Sequence, residues 1–311
     1  MAIESQMASN DYSYSSLKPE PSRSPRLESA ELAQNGPTSH SDAATQTDAN
    51  SASSNQWKCL VLSLVRHGQA ASNTQGWKAG QDSPLTTFGC TQVEALGEAW
   101  SKVRITKLVS SQLQRAVATA KEISLYNVSH PIISIDSNVE EQRPGDLVPK
   151  LFIEGRTQEG ALALGRVLID GKVPRSHTPP EGGESLDTVA RRASEFILST
   201  MAEHAVTGEG PEEFDLEMWR GDEVTRLPPG LPHIVLVSHN VFLCELYELM
   251  HYWNSTDRGK GLGCFWKNTG WTRHVLWIRE RKDSSYELMF RDLVSPLQEG
   301  GIPLWHYTTA V

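Results

Sequence analysis

The chain is expected to fold as an α/β protein, with a mostly parallel central sheet and helices on both faces. Two apolar runs of strand length, residues 59 to 65 and 234 to 237, each end within two residues of a histidine. Around them lie longer stretches whose apolar residues recur at helical spacing, so strand and helix patterns alternate along the chain. Such alternation is what crossover connections turn into a parallel sheet.

Residues 1 to 56 are rich in Ser, Asn, Thr and Pro and poor in large apolar side chains. They bury too little to offset the entropy of ordering and are expected to be a disordered tail. Within it, "SRSPRL" places Ser24 before Pro25 between arginines, a phosphorylation pattern that a tail of this composition also produces by chance. At "WKCLVLSLVRHG" the composition changes, and a folded domain over 57–311 is expected to begin. Cys59 to Val65 is apolar apart from Ser63, as in a strand covered on both sides. After "DSPLTTFG", Val93, Leu96, Gly97 and Trp100 form a helical stripe that Thr86 or Thr87 can cap. "KLVSS" reads as a short strand, "QLQRAVATAKEI" as a helix and "PIISID" as a β-branched strand. Following "PPEGGES", the residues Leu186, Val189, Ala190, Ala193, Phe196, Ile197 and Met201 make a long amphipathic helix. The acidic, Pro- and Gly-punctuated stretch 205–231 is expected to be a surface insertion. "HIVLVSHN" is a second buried strand, "VFLCELYELM" a helix, and "RHVLWIRE" and "YELMFRDL" are closing strands.

A formal charge of -9 without any basic stripe argues against nucleic-acid binding. An anionic substrate must then be held by a local cluster of positive groups. No apolar run is long enough to span a bilayer, no signal-peptide pattern opens the chain, and the cytoplasm is the expected compartment, with the nucleus not excluded. Cys59, Cys90, Cys244 and Cys264 lack metal-ligand spacing and are expected as reduced thiols, mostly in the core. The sequons at Asn127 and Asn254 are then unused. The sequence leaves oligomeric state open.

In sheets of this kind, ligands bind beyond the carboxyl ends of the strands. Arg66 and His67 follow the first strand, Ser110, Ser111 and Arg115 follow the strand 107 to 109, and His239 follows the strand 234 to 237. These groups should converge on one edge. A lone histidine at a strand end is more often a satisfied structural residue; the joint placement singles out this set.

The ordered motifs "LVRHGQAASN", "DSPLTTFG", "SSQLQRAVATA", "EGGESLDTVARR", "VLVSHN" and "KNTGW" resemble the histidine phosphatase superfamily on its phosphoglycerate-mutase-like branch. The similarity spans about residues 58 to 280. Ala70 and Ser72 stand where the acid phosphatase and phytase branch would carry an arginine and a proline.

The resemblance implies a phosphoglycerate-mutase-like fold and a phosphatase acting on small phosphorylated metabolites through a phosphohistidine, without metal or other cofactor. It implies His67 as the nucleophile, neutral, with its other ring nitrogen held by the Gly68 carbonyl. Arg66 and Arg115 would neutralise the phosphoryl oxygens with planar forks of donors. His239 would add a donor, Asn73 would contact phosphate or substrate, and Gly68 would turn the backbone tightly beside the substrate. The acid that protonates the leaving alkoxide is matched by Glu141, four residues before Gly145, with Glu140 as competitor. Residues 142–180 would form a cap, where Lys150, Arg156, Arg166, Lys172 and Arg175 could grip a second anionic group. Three positions depart from the family pattern: Ala70 replaces a usual hydroxyl residue, Asn240 a usual glycine, and Gly76-Trp77 a frequent Gly-Arg. The alternatives are a phosphoglycerate-type mutase on the same core and a catalytically silent interaction protein.

Overall fold

The structure, a computed structural model, describes residues 56–166, 174–255 and 265–295. The expected tail up to residue 55, with Ser24 in it, lies outside the described residues, as do Lys172 and Cys264.

In chain order the elements are β1 (Lys58–Arg66), α1 (Ala71–Gln75), α2 (Thr87–Ala99), β2 (Lys107–Ser110), α3 (Gln114–Tyr126), β3 (Ile133–Ile135), α4 (Leu147–Ile153) and α5 (Thr157–Leu164). They continue with α6 (Leu186–His204), β4 (Val206–Thr207), α7 (Leu216–Trp219), β5 (His233–Ser238), α8 (Asn240–Tyr252), β6 (Trp271–Glu280) and β7 (Tyr286–Val294). The sheet runs β3-β2-β5-β1-β6-β7, with β4 pairing the start of β1. Strands β3, β2, β5 and β1 are mutually parallel, which is the predicted core. The closing strands β6 and β7 add antiparallel to β1 and to each other. Their connection is a short turn, which can only reverse the chain, whereas a parallel return needs a crossover.

β1 is buried at every position after Lys58, so its continuous apolar run reflects cover on both faces. On one side Leu60, Leu62 and Leu64 pack with Ile234, Leu236 and Leu276 beneath Phe196 and Ile197 of α6 and Phe242 and Leu246 of α8. On the other, Val65, Val235 and Val237 meet Leu96 of α2, Trp100, and Ala116, Ala120 and Ile123 of α3. The helix caps follow the sequence signals: Thr86 Oγ1 accepts from Gly89 N at 2.9 Å, and Ser185 Oγ from Thr188 N at 3.1 Å.

The stretch 205–231 is mostly exposed and also packs several large side chains on the sheet. Phe214, Leu216, Trp219, Leu227 and Leu231 pack against Cys59, Val61, Val275, Trp277 and Leu293. Trp277 Nε1 donates to Glu209 O at 3.0 Å. The reason is that α2 and α3 cover only the β2–β5–β1 half of that face, and the insertion supplies the missing cover while its charges stay outside.

Asn127 is fully buried and donates to the Trp100 and Val103 carbonyls at 2.8 Å, so its sequon serves a structural turn. Cys59 is a buried thiol, with burial pushing its pKa up to about 11. Cys90 is exposed on the outer face of α2.

Candidate active site

The register of the parallel strands brings three loops to one level. Arg66 pairs across from Ser238, and Ser110 across from Val237. Beyond those rungs the ladder continues for one bond on each side: His67 N donates to Ser238 O and Ser111 N to Val237 O, both at 3.1 Å. Arg66, His67, Ser111 and His239 therefore leave the sheet together, and α3 swings Arg115 over them from its first turn.

The His67 ring is buried and its two nitrogens have different partners. Nδ1 lies 2.7 Å from Gly68 O, which can only accept, so Nδ1 carries the proton. Nε2 then presents a lone pair, which takes a hydrogen bond from Arg115 Nε at 3.1 Å. Burial, together with the cations Arg66 and Arg115, holds the His67 pKa well below the usual histidine value. The neutral imidazole is thereby favoured over the imidazolium.

Arg66 donates to the Trp266 carbonyl and lies 5.1 Å over the Phe265 ring. Burial lowers its pKa to about 10, which leaves it charged. Arg115 Nη1 donates to Gln81 O at 2.6 Å. The His239 ring centroid is 5.0 Å from that of His67, and its Nε2 lies 2.8 Å from Ser111 Oγ. Burial first, then His67 and the two arginines, depress the His239 pKa strongly. Two buried polar atoms here, Arg66 Nε and His239 Nδ1, have no hydrogen-bond partner in the protein. Buried groups of this kind cost free energy unless a ligand meets them.

Glu141 sits at the start of α8. Its Oε1 accepts from Gln142 N at 3.0 Å, Val241 N at 3.1 Å and Phe242 N at 3.3 Å. A carboxylate at a helix N-terminus meets the free N–H groups and the positive end of the dipole. The same carboxylate is near enough to Arg66 and Arg115 to strengthen their hold on their protons. Glu140 instead turns outward, accepting from Gln112 Nε2 at 2.8 Å.

A family model described as histidine phosphatase superfamily (branch 1) matches residues 62–208. The chain is 31% identical over 197 residues to fructose-2,6-bisphosphatase TIGAR B of Danio rerio, a match covering 59% of this chain and 72% of that protein. The chain belongs to the histidine phosphatase superfamily. It is also 37% identical over 142 residues to fructose-2,6-bisphosphatase TIGAR of Xenopus tropicalis, covering 44% of this chain and about half of that relative, 48% of its length. Among solved structures, mycobacterial glucosyl-3-phosphoglycerate phosphatase in complex with VO3 superposes with a TM-score of 0.51 at 22% identity, over 76% of this chain and 98% of that one. That likeness concerns the fold.

Within this member of the histidine phosphatase superfamily, two residues of the first loop, Gly68 and Asn73, are held by bonds inside the protein. Gly68 has no positive φ, and its need is space: an added Cβ would lie 2.5 Å from Val93 Cγ1 and 2.9 Å from Gly89 O. Its N–H goes to Thr119 Oγ1 at 3.1 Å and its carbonyl to His67, so both polar groups brace the histidine. Asn73 accepts from Ala70 N at 2.9 Å and from Asn268 Nδ2 at 3.2 Å. Asn268 in turn donates to the His67 carbonyl at 3.0 Å. Asn73 thus belongs to a brace behind His67, with its side chain on the exposed surface of the loop.

Ser111, one of the strand-end groups, meets His239 as the strand pattern implied, whereas Asn268 was not singled out by the sequence reading although "KNTGW" contains it. A second addition is the pair Glu184 and Arg192, from "EGGESLDTVARR". Arg192 Nε and Nη2 meet the Glu184 carboxylate at 2.8 and 2.7 Å, while Nη1 holds the carbonyls of Asn138 and Glu140. This pair fastens the loop that ends in Glu141.

Helix α4 meets the first loop where Trp77 stacks on Phe152, ring centroids 5.5 Å apart, and α5 packs on α4. A cavity of about 380 Å³ lies between these helices, bordered by Leu147, Leu151, Leu162 and His177, and no residue around His67 lines it. Lys150 pairs with Glu181, Arg156 with Glu154 and Glu159, and Arg175 with Asp187, Glu245 and Glu248. Arg166 differs, donating to the neutral Gln142 Oε1 at 2.7 Å. Among the described residues, no three His, Cys, Asp or Glu side chains converge as a metal site requires, and no helix is long and apolar enough to cross a membrane.

Proposed function

We propose that this chain is a metal-independent phosphomonoesterase of the cytoplasm, which hydrolyses small phosphorylated metabolites through a phosphohistidine on His67. The observation that carries the reading is the His67 ring: proton fixed on Nδ1, lone pair on Nε2, and two buried nitrogens without a protein partner, the donor Arg66 Nε and His239 Nδ1, beside it. A phosphate dianion repels a nucleophile unless its oxygens are neutralised, and prearranged cationic donors in a dry site do this at little reorganisation cost. The relatives named as fructose-2,6-bisphosphatases support a small sugar phosphate as the substrate class.

In the first step, the His67 Nε2 lone pair attacks phosphorus in line and the ester oxygen leaves with the bonding pair. Glu141, protonated at that moment, gives the alkoxide its proton. Arg115, which bonds Nε2 before attack, transfers its donors to the phosphoryl oxygens. In the second step Glu141, now a carboxylate, takes a proton from water; the hydroxide oxygen bonds to phosphorus, and the P–N bond returns its electrons to His67. No metal, redox partner or acceptor beyond water is needed. Rapid quenching after mixing with a ³²P-labelled sugar phosphate should trap acid-labile label on wild type and none on His67→Ala, with turnover indifferent to EDTA. Turnover without any labelled enzyme would overturn the covalent route, and conversion of 3-phosphoglycerate to 2-phosphoglycerate in place of phosphate release would make the protein a mutase.

A further inference from the structure

Asn240 stands at a position where the family pattern usually has glycine, directly after His239 and at the first residue of α8. Two roles are open to an asparagine there: capping the helix or shaping the phosphate pocket. The hydrogen bonds decide between them. The first N–H groups of α8, those of Val241 and Phe242, are taken by the Glu141 carboxylate, so the helix needs no cap from its own side chains. The Asn240 side chain instead reaches across to the segment before β6, where its Oδ1 accepts from Trp266 N at 2.9 Å. Because a backbone N–H can only donate, the amide orientation is fixed by this partner.

Trp266 is the residue whose carbonyl receives Arg66 Nη1. One residue earlier, the half-exposed Phe265 presents its ring to the same guanidinium. Two residues later, Asn268 braces the His67 carbonyl. The Trp266 ring itself is buried in the core against Tyr247, which fixes the side chain but not the rotation of the peptide groups on either side of it. The bond from Asn240 supplies that second restraint. Arg66 has a buried Nε without a protein partner, so the angle of its fork, and hence where that donor points, depends on the Trp266 carbonyl.

We infer that Asn240 is a positioning residue, which sets the Arg66 guanidinium for phosphoryl binding by tethering the backbone of Trp266. This rests on the phosphatase reading above and adds to it a residue in which this chain differs from the family pattern. A tether of this kind acts on anion binding and leaves proton transfer by Glu141 alone. Its removal should therefore raise KM for a phosphate ester and Ki for inorganic phosphate together, about five- to tenfold for one lost hydrogen bond. The dependence of kcat on leaving-group pKa should not change.

The test compares wild type, Asn240→Gly and Asn240→Asp, the last retaining an acceptor oxygen for Trp266. Amide exchange at Trp266 read by NMR reports the tether, and competitive inhibition by inorganic phosphate reports its effect. The expected result is faster Trp266 exchange and a raised phosphate Ki in Asn240→Gly, with exchange protection kept in Asn240→Asp. An unchanged Ki in Asn240→Gly, or a raised Ki with Trp266 exchange unaltered, would overturn the inference while leaving the phosphatase reading intact. A wild-type protein that binds no phosphate at all would sink both.

Discussion

Three buried histidines, His67, His233 and His239, should make this fold acid-sensitive well before its carboxylates titrate. Burial pushes the pKa of each far below the ordinary value of about 6.5, with nearby arginines pushing the same way. An unfolded chain protonates these rings below that pH and the folded chain does not. The unfolded state thus binds more protons, and stability falls as pH drops through a window opening near pH 6.5 and ending only at the depressed folded values. Between about pH 7.5 and about pH 5.5 each ring contributes a loss of roughly 1 kcal/mol or slightly more, about 4 kcal/mol for the three. That is a large part of a typical stability of about 5–15 kcal/mol. His251, partly exposed and also lowered by burial, adds to the loss, whereas Glu245, raised by burial, opposes it. His233 is the ring to remove, because it lies outside the site, between Ser63 Oγ at 2.8 Å and Arg104 O at 2.7 Å. Urea unfolding of wild type and His233→Gln at the two pH values should show the variant less stable at both. Its drop between them should be smaller by about a third. Equal drops would refute the claim that His233 is held neutral.

The remaining expectations concern the parts that hold the site. Gly68→Ala places a methyl group against Val93 Cγ1 and the Gly89 carbonyl, which should cost about 1–3 kcal/mol in chemical denaturation and reduce kcat by displacing the carbonyl that fixes the His67 tautomer. Adding Val93→Ala should recover part of the stability, and a full recovery of activity with it would argue against the tautomer role. Glu184→Gln leaves Arg192 buried without its counter-charge, at about 3–5 kcal/mol, and loosens the loop before Glu141. At a temperature where the variant is folded, it should slow esters with poor leaving groups more than activated ones, in the same pattern as Glu141→Gln. A uniform loss across leaving groups would separate the clamp from the acid.

The fold was legible because burial in it is nearly binary. β1 and β5 are apolar at almost every position since both their faces are covered, and α6 carries its stripe because only one side meets the sheet. The segment 205–231 shows the converse. Its acidic residues and its Pro and Gly punctuation mark it as surface, but a few large side chains, Phe214, Trp219 and Leu227, are enough to cover the bare half of a sheet face. Composition averages over a segment, and packing depends on which few residues point inward.

The site was legible in its side chains and not in its supports, and the division has a physical cause. Arg66, His67, Arg115, Glu141 and His239, which the structure brings together, would have to be those residue types for the proposed chemistry, so their identities show in the sequence. The groups that orient them are largely main-chain atoms: Gly68 O for His67, Gln81 O for Arg115, Trp266 O for Arg66, and the Val241 and Phe242 N–H groups for Glu141. A carbonyl is available at every residue, so no residue type marks it. Its placement is decided by whatever fixes the neighbouring peptide, a fully packed ring at Trp266 or a space too small for a Cβ at Gly68. Substitutions such as Asn240 for glycine therefore reach the chemistry through the backbone, at positions where inspection of the reacting side chains alone finds nothing changed.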